Sequence, residues 1–461
     1  GKKMNFISHE FFSFLLFFLL AIFLIAGYPV ALTLAGTAIF VAILGYFVDL
    51  FPLVLLNVLP NRVFGIITNE TLIAVPLFIY MGVMLEKSGI ANSLLENMSR
   101  LWGNIRGGLV YSVLFVGVLM AASTGIVGAT VVTMGILSLP LMIKWNYNKK
   151  VSAGVICASG TLGQIIPPSI VLVLLADIFQ GANEEASQIS GNLAPDPVSS
   201  VDLFAGAIFP GIILVIFYSI WIIFCSVFRP NNFPIIKSNV DKISFKEILS
   251  VIFPPVILII LVLGSILFGI ATPTESASLG ALGAIIISFV KKKLNIQILK
   301  HSCIETLKIN AMVFFIIIGA SLFSLVFRGF GGDLIVENFL TDIPGAKINS
   351  LIIVMITIFI LGFFLDFFQI VFVIVPIVGP SLISMGYDPI WLALMFAINL
   401  QTSFLTPPFG FALFYLRGVA PKEIKTIDIY YGVIPFIFIQ IVLLVILYNF
   451  PEIITWLPKK L

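Results

Sequence analysis

Hydrophobic residues come in membrane-length blocks along this chain, separated by short polar stretches. Phe11 to Ala26 and Val30 to Val48 predict two spans joined by the tight turn Gly27-Tyr28-Pro29, because about 20 apolar residues carry a helix across the hydrocarbon. Phe51 to Leu59 is too short to cross. Thr71 to Leu85 reads as a further span, followed by a polar stretch with Arg100 and Arg106. Gly107 to Leu139 is then decisive by its length. Its 33 residues at about 1.5 Å each make roughly 50 Å, too long for one straight span and too short for two. Basic stretches flank it on both sides, so it enters and leaves by one face. The small, polar Ser123-Thr124-Gly125 marks the break, which predicts a re-entrant hairpin with its tip near the bilayer centre.

The pattern repeats at an offset of 240 residues: Pro140 falls on Pro380, Ala153 on Ala393, and Pro167-Pro168 on Pro407-Pro408. A second run, Asn349 to Gly379, matches the hairpin and carries Asp366 near its middle. Lys144, Lys149 and Lys150 precede the first double proline, whereas the matching loop from Ser384 to Ile390 holds only the acid Asp388. After the motif the signs swap, to Glu184, Glu185 and Asp196 in the first copy and Arg417, Lys422 and Lys425 in the second. Positive loops stay cytoplasmic, so the copies lie upside down relative to each other. Inverted repeats with helices broken at membrane depth are the mark of a secondary transporter.

Outside this pair, Val251 to Ile270, Ser276 to Val290 and Ile309 to Phe327 answer the first three spans. Asp202-Leu-Phe-Ala-Gly206 before one span is answered by Asp428-Ile-Tyr-Tyr-Gly432 before the last. The expected organisation is N-terminal scaffold helices (1–106), a first hairpin and broken helix forming a transport module (107–180), an extracytoplasmic loop, bracing helix and cytoplasmic linker (181–250), second-half scaffold helices (251–346), a second hairpin and broken helix (347–417) and a C-terminal helix (418–461). Gly181 to Ser200, polar, acidic and free of Lys and Arg, is the loop. Phe228 to Ser250, with Lys237, Lys242 and Lys246, is the linker.

Composition agrees. Apolar residues make up 60% of the chain and charged residues 10%, and mean hydropathy is +1.16, which excludes a soluble globule and predicts an all-α polytopic membrane protein with two re-entrant hairpins and two broken helices. The net charge of +3 sits in loops, reflects orientation and implies no nucleic-acid partner. Cys157, Cys225 and Cys303 read as small apolar core residues. His9 and His301 stand alone, and no Gly-rich phosphate loop is present. Lys2 and Lys3 precede the first apolar run without a small-residue cleavage site, so that run is expected to be a retained span.

The chemistry concentrates at the breaks. Each proline pair removes two backbone donors and unwinds the helix before it, and carbonyls freed in the bilayer cost several kcal/mol each unless something binds them. A cation can, and the hydroxyls of Thr402, Ser403, Thr406 and Ser169 add oxygens, a donor set that suits Na⁺. A lone acid in Phe363-Phe-Leu-Asp366-Phe-Phe is costly unless paired or ion-bound; it either caps a half-helix or binds an ion, and both can hold together. A proton (H⁺) is an alternative to Na⁺ there. Arg328, before Gly329, Gly331 and Gly332, either holds a substrate carboxylate or snorkels to headgroups. Glu275 is explained by capping from Thr272 or Thr274. Asp177, Asp202 and Asp428 read as solvated or capping acids at span ends.

Four motifs in order, Gly160-Thr-Leu-Gly-Gln-Ile-Ile-Pro-Pro-Ser169, Asp202-Leu-Phe-Ala-Gly206, Ala271-Thr-Pro-Thr-Glu275 and Asn399-Leu-Gln-Thr-Ser-Phe-Leu-Thr-Pro-Pro-Phe-Gly410, resemble the large membrane subunit of tripartite ATP-independent periplasmic (TRAP) transporters along nearly the whole chain. The resemblance implies an inverted-repeat, elevator-type, sodium-driven transporter of the bacterial inner membrane, importing a small organic anion such as a carboxylate. It also implies a small four-helix membrane subunit, fused in some relatives and absent here, and a periplasmic substrate-binding protein. It places one Na⁺ at Ser123, Thr124, Gly160, Gly163 and Pro167, a second at Asp366, Asn399, Thr402 and Thr406, and the substrate at Ser169 and Arg328. The Gly181 to Ser200 insertion exceeds what many relatives carry. The alternative is a stand-alone ion-coupled carboxylate symporter needing no binding protein. An enzyme would need a nucleophile and base or a metal constellation, which the scarcity of His and buried acids disfavours.

Overall fold

In hydrocarbon every backbone N–H and C=O must find a partner inside the protein, and a helix satisfies its own. The computed structural model describes residues 2–236 and 244–461, and among them helices are the only regular elements. The linker cations Lys237 and Lys242 lie outside the described residues. Eight described helices are long and apolar enough to cross a membrane, or nine if Leu53–Ile67 and Glu70–Lys87, bent by 53° at their junction, count as one. In that bent pair the stretch Phe51 to Leu59, too short to cross by itself, is continued by a helix that carries Arg62 and ends at Ile67. Large apolar side chains such as Phe14, Leu261, Phe289 and Phe438 are more than half exposed, the surface a lipid solvent calls for.

The chain forms two compact units, one of Gly1–Leu72, Leu174–Val198 and Lys308–Leu392, the other of Ile73–Val173, Ser199–Leu307 and Ala393–Leu461. The first hairpin lies in the second unit, with arms Gly108–Thr124 and Val127–Lys144. Between them Gly125 adopts φ +63°, the left-handed conformation that ends a helix most cheaply when the residue is glycine. The second hairpin lies in the first unit: Ala346–Leu361 stops, the chain is irregular to Asp366, and the return arm resumes through Phe367–Gln369, a π-helical turn Ile370–Ile374 and Val375–Ser384.

The broken helices follow the double prolines. The first runs over Lys149–Thr161 and a 3₁₀ turn Leu162–Gln164, then resumes as Ile170–Ser190. The second runs over Pro389–Leu405 and resumes as Phe411–Val419. Both Pro–Pro bonds are cis. The resumed first helix shortens the expected loop: residues 181–190 are helical, with Gln180 donating to Glu184 one turn on at 2.7 Å, and only 191–199 form a loop. Asp177 therefore lies inside a helix rather than at a span end. Ser199 with Asp202, and Thr272 with Glu275, form the expected capping boxes. Cys157 is buried, but Cys303 is exposed rather than a core residue.

Within the second unit, each broken helix is packed by the last long helix of the opposite half. A Cβ added to Gly154 would lie 2.1 Å from the Gly432 carbonyl oxygen, and one at Gly432 would lie 2.1 Å from the Lys150 carbonyl oxygen. Leu394, which the repeat aligns with Gly154, meets Gly206, where an added Cβ would approach its Cδ1 to 2.8 Å. The Lys150 ammonium rests 4.7 Å from the Tyr431 ring centroid, so the two basic loops share one end of this unit, as equal orientation requires. The segment after Phe228 is tied to the same end. Arg106 donates to the Pro230 carbonyl (3.0 Å), and the Tyr147 hydroxyl donates to that of Pro234 (2.9 Å) while receiving the Leu109 N–H. Burial pushes the Tyr147 phenol up to about 12.

Candidate functional site at the first hairpin tip and helix breaks

The first hairpin tip and the first helix break meet directly, both in the second unit. A Cβ on Gly163 would lie 3.2 Å from the Ala121 carbonyl oxygen and 3.5 Å from the Gly125 carbonyl carbon; one on Gly125 would lie 3.2 Å from the Ile170 nitrogen. A Cβ on Gly160 would lie 3.3 Å from the Val131 nitrogen, in the return arm. Side chains on these glycines would hold the backbones apart. Ser123 and Thr124 hydroxyls donate to the Met120 carbonyl (3.0 and 2.9 Å), Thr124 and Thr130 hydroxyl oxygens lie 2.8 Å apart, and Ser169 donates to the Gly163 carbonyl at 3.0 Å. The proposed first-site residues Ser123, Thr124, Gly160 and Gly163 are thus brought together with Ser169. Pro167 also lines an apolar cavity of about 320 Å³ with Val118, Ile208 and Leu263.

Two helices end here, at Thr124 and Thr161, and two begin, at Val127 and Ile170. Helix C-termini present carbonyls and partial negative charge, N-termini amides and partial positive charge. One locus therefore offers a cation its oxygens and an anion its N–H groups, and the donors fit Na⁺, a hard ion taking hydroxyl and carbonyl oxygen. Gly82 presses the preceding helix onto the tip, where a Cβ would come within 2.6 Å of the Ser123 oxygen.

At the second copy, Asp366 belongs to the first unit. Its Oδ1 accepts the Phe367 N–H at 2.8 Å, so it caps the return arm. Asn399, Thr402 and Thr406 follow one another along Pro389–Leu405 and its first irregular residue, in the second unit. The Thr406 hydroxyl donates to the Thr402 carbonyl (2.8 Å), and the Thr402 hydroxyl lies 2.8 Å from the Ile398 carbonyl and 2.7 Å from Gln440 Oε1. Gln440 in turn donates to the Tyr218 hydroxyl at 2.6 Å. Gln440 and Tyr218, both fully buried, were missed from sequence. The available signal was the lone glutamine in Phe438-Ile-Gln440-Ile.

Arg328 belongs to the first unit and Ser169 to the second. It lines a cavity of about 390 Å³ with Arg62, Asn69, Asp177, Glu185 and Ser324. Its guanidinium pairs with Glu185 at 2.7 Å. Asn69 donates to Asp177 at 2.6 Å, and Arg62 reaches the Ser321 carbonyl at 3.4 Å. Sequence reasoning weighed Arg328 alone and missed Arg62, Asn69 and the Glu185 partnership.

Comparison with known proteins agrees with this architecture. The model of the family described as "Tripartite ATP-independent periplasmic transporter, DctM component" matches residues 17–453. The chain is 29% identical to the C4-dicarboxylate TRAP transporter large permease protein DctM of Rhodobacter capsulatus, over 97% of this chain and 99% of that one. It is 26% identical to the sialic acid TRAP transporter permease protein SiaT of Haemophilus influenzae, over 95% of this chain and 67% of that one. Among solved structures, the YdaH transporter of Alcanivorax borkumensis shares the fold, with a TM-score of 0.62 and 14% identity over 86% of this chain and 89% of that one. An all-helical polytopic chain with paired hairpins and paired helix breaks, matched by that family's model almost from end to end, is a transporter subunit rather than an enzyme, and belongs to the tripartite ATP-independent periplasmic transporter family as its DctM component.

Proposed function

We propose that this chain is the large permease subunit of a sodium-coupled importer of small organic anions in the bacterial inner membrane, working by an elevator movement with a small membrane subunit and a periplasmic binding protein. The observation that carries this reading is the meeting of two helix C-termini and two helix N-termini at the first hairpin tip. Ser123 and Thr124, with the backbone at Gly160 and Gly163, supply oxygens to a cation, and Ser169 with the Ile170 N–H faces an anion at the opposite dipole ends. In the first unit Asp366 offers a carboxylate, and in the second unit Asn399, Thr402 and Thr406 offer neutral oxygens, each available to a cation. The names of relatives point to acidic solutes, among them C4-dicarboxylate, sialic acid and 2,3-diketo-L-gulonate. Uptake of a radiolabelled organic acid into proteoliposomes is expected to require an inward Na⁺ gradient and the binding protein. Uptake without the binding protein would favour the stand-alone symporter, and uptake unchanged in a K⁺ or H⁺ gradient would remove sodium from the mechanism.

Arg328 takes part by competition. Its guanidinium is already held by Glu185, so an incoming carboxylate must displace or share that partner. Arg328→Gln is expected to raise the KM for the anion and Glu185→Gln to lower it, each by about two- to fivefold, the range of a partly exposed pair. A rise in KM from both substitutions would make the pair structural.

A further inference from the structure

A basic cavity of about 220 Å³ opens at the end of the second unit that carries Lys150. The start of Lys149–Thr161, the end of Ser200–Phe228 with the turn Pro230–Asn232, and the start of Thr426–Asn449 wall it. Lys150 and Arg229 supply its charge, Asn148 and Asn232 its amides, Trp221 and Tyr431 its aromatic lining. Neither cation is neutralised: among the described residues no ion pair includes Lys150 or Arg229. Helix polarity adds to them. Lys149 and Lys150 stand in the first turn of their helix, which holds no acid, although the macrodipole already places about half a positive charge at that end. Asn148 caps that turn and is tied to Asn232, whose Oδ1 accepts from Asn148 Nδ2 at 3.3 Å, so the wall is braced before any ligand arrives. Two unpaired cations and a positive helix end around an open cavity call for an anion.

The surroundings select which anion. The same end gathers Arg106, Arg229 and the lysines that the orientation rule assigns to the cytoplasmic face. Trp and Tyr are side chains that settle at headgroup level. Beyond them, on the same two helices, Phe224, which stacks on Trp221, and Phe228 and Ile434 are each at least half exposed, an apolar surface for acyl chains that a soluble anion would not need. We propose that this cavity binds the phosphate headgroup of an anionic phospholipid of the cytoplasmic leaflet, with Arg229 and Lys150 holding the phosphate. Bound there, the lipid bridges the Ser200–Phe228 helix to the pair of helices joined at Gly154 and Gly432.

The test uses the purified full chain in neutral detergent, titrated separately with phosphatidylglycerol, with phosphatidylcholine of the same acyl chains and with inorganic phosphate. Thermal unfolding is followed by tryptophan fluorescence and lipid adducts by native mass spectrometry. Phosphatidylglycerol is expected to raise Tm and form adducts, and the other two are not. Lys150→Gln should weaken apparent phosphatidylglycerol affinity about fivefold, and Lys150→Gln with Arg229→Gln roughly 25-fold, while Arg229→Lys with Lys150 intact retains binding. Wild-type affinity in the double variant overturns the proposal. So does an equal Tm rise with phosphatidylcholine, and so does an equal rise with inorganic phosphate, which would make the site one for a soluble anion. Should the double variant not fold, Arg229→Gln alone decides by the same fivefold criterion.

Discussion

Asp366→Asn is expected to weaken the sodium dependence of uptake by about a hundredfold while leaving the protein folded, the scale on which removing one charge from a buried ionic arrangement acts. The substitution separates two roles that the side chain combines. Asp366 caps the return arm of the second hairpin through the Phe367 N–H, and asparagine caps a helix about as well as aspartate. A purely structural Asp366 would therefore tolerate asparagine with unchanged transport. A carboxylate that neutralises a cation would not, because the amide keeps the shape and the oxygen but loses the charge. Asp366→Ala supplies the second axis: it removes the cap as well and should cost about 1 kcal/mol more in stability. Sodium titrations of uptake together with thermal unfolding of both variants check this. Sodium dependence equal to wild type in Asp366→Asn would take Asp366 out of ion binding.

Breaks were legible in the sequence because they violate a local expectation. Ser123-Thr124-Gly125 interrupts an apolar run too long for one span, and the structure ends a helix at Thr124. The double prolines cannot continue a helix, and both helices stop before them. What stayed hidden was of two kinds. Polar helix leaves no hydropathy signal: residues 181–190 look like a loop by composition yet extend the resumed first broken helix, partly through one-turn contacts such as Gln180 to Glu184. Long-range partners leave none either. Asn69 finds Asp177 across 108 residues and Arg328 finds Glu185 across 143, so an acid read as solvated at a span end becomes a cavity wall. The capping boxes at Asp202 and Glu275 were readable for the opposite reason, since their partners lie three residues away.

The pairing of Gly154 with Gly432 was invisible in the same way, and it supports the second large effect. Gly432→Ala is expected to destabilise the protein by about 3 kcal/mol, at the upper end for overpacking, and Gly206→Ala by about 1 kcal/mol. The difference follows from what each new methyl would strike. At Gly432 it meets backbone, the Lys150 carbonyl oxygen at 2.1 Å and the Gly154 nitrogen at 2.9 Å, and backbone in a helix cannot rotate aside. At Gly206 the nearest atom is Leu394 Cδ1 at 2.8 Å, the end of a side chain with other rotamers open to it. Without a hydrophobic force between helices in lipid, close approach over small residues is what holds such pairs. Prying Thr426–Asn449 from Lys149–Thr161 would thus loosen the helix that carries Gly160 into the first tip. Thermal unfolding of Gly432→Ala, Gly154→Ala and Gly206→Ala gives the order directly. If Gly432→Ala unfolds no more easily than Gly206→Ala, the backbone contact is not what joins these helices, and the first broken helix must be held in place by its hairpin alone.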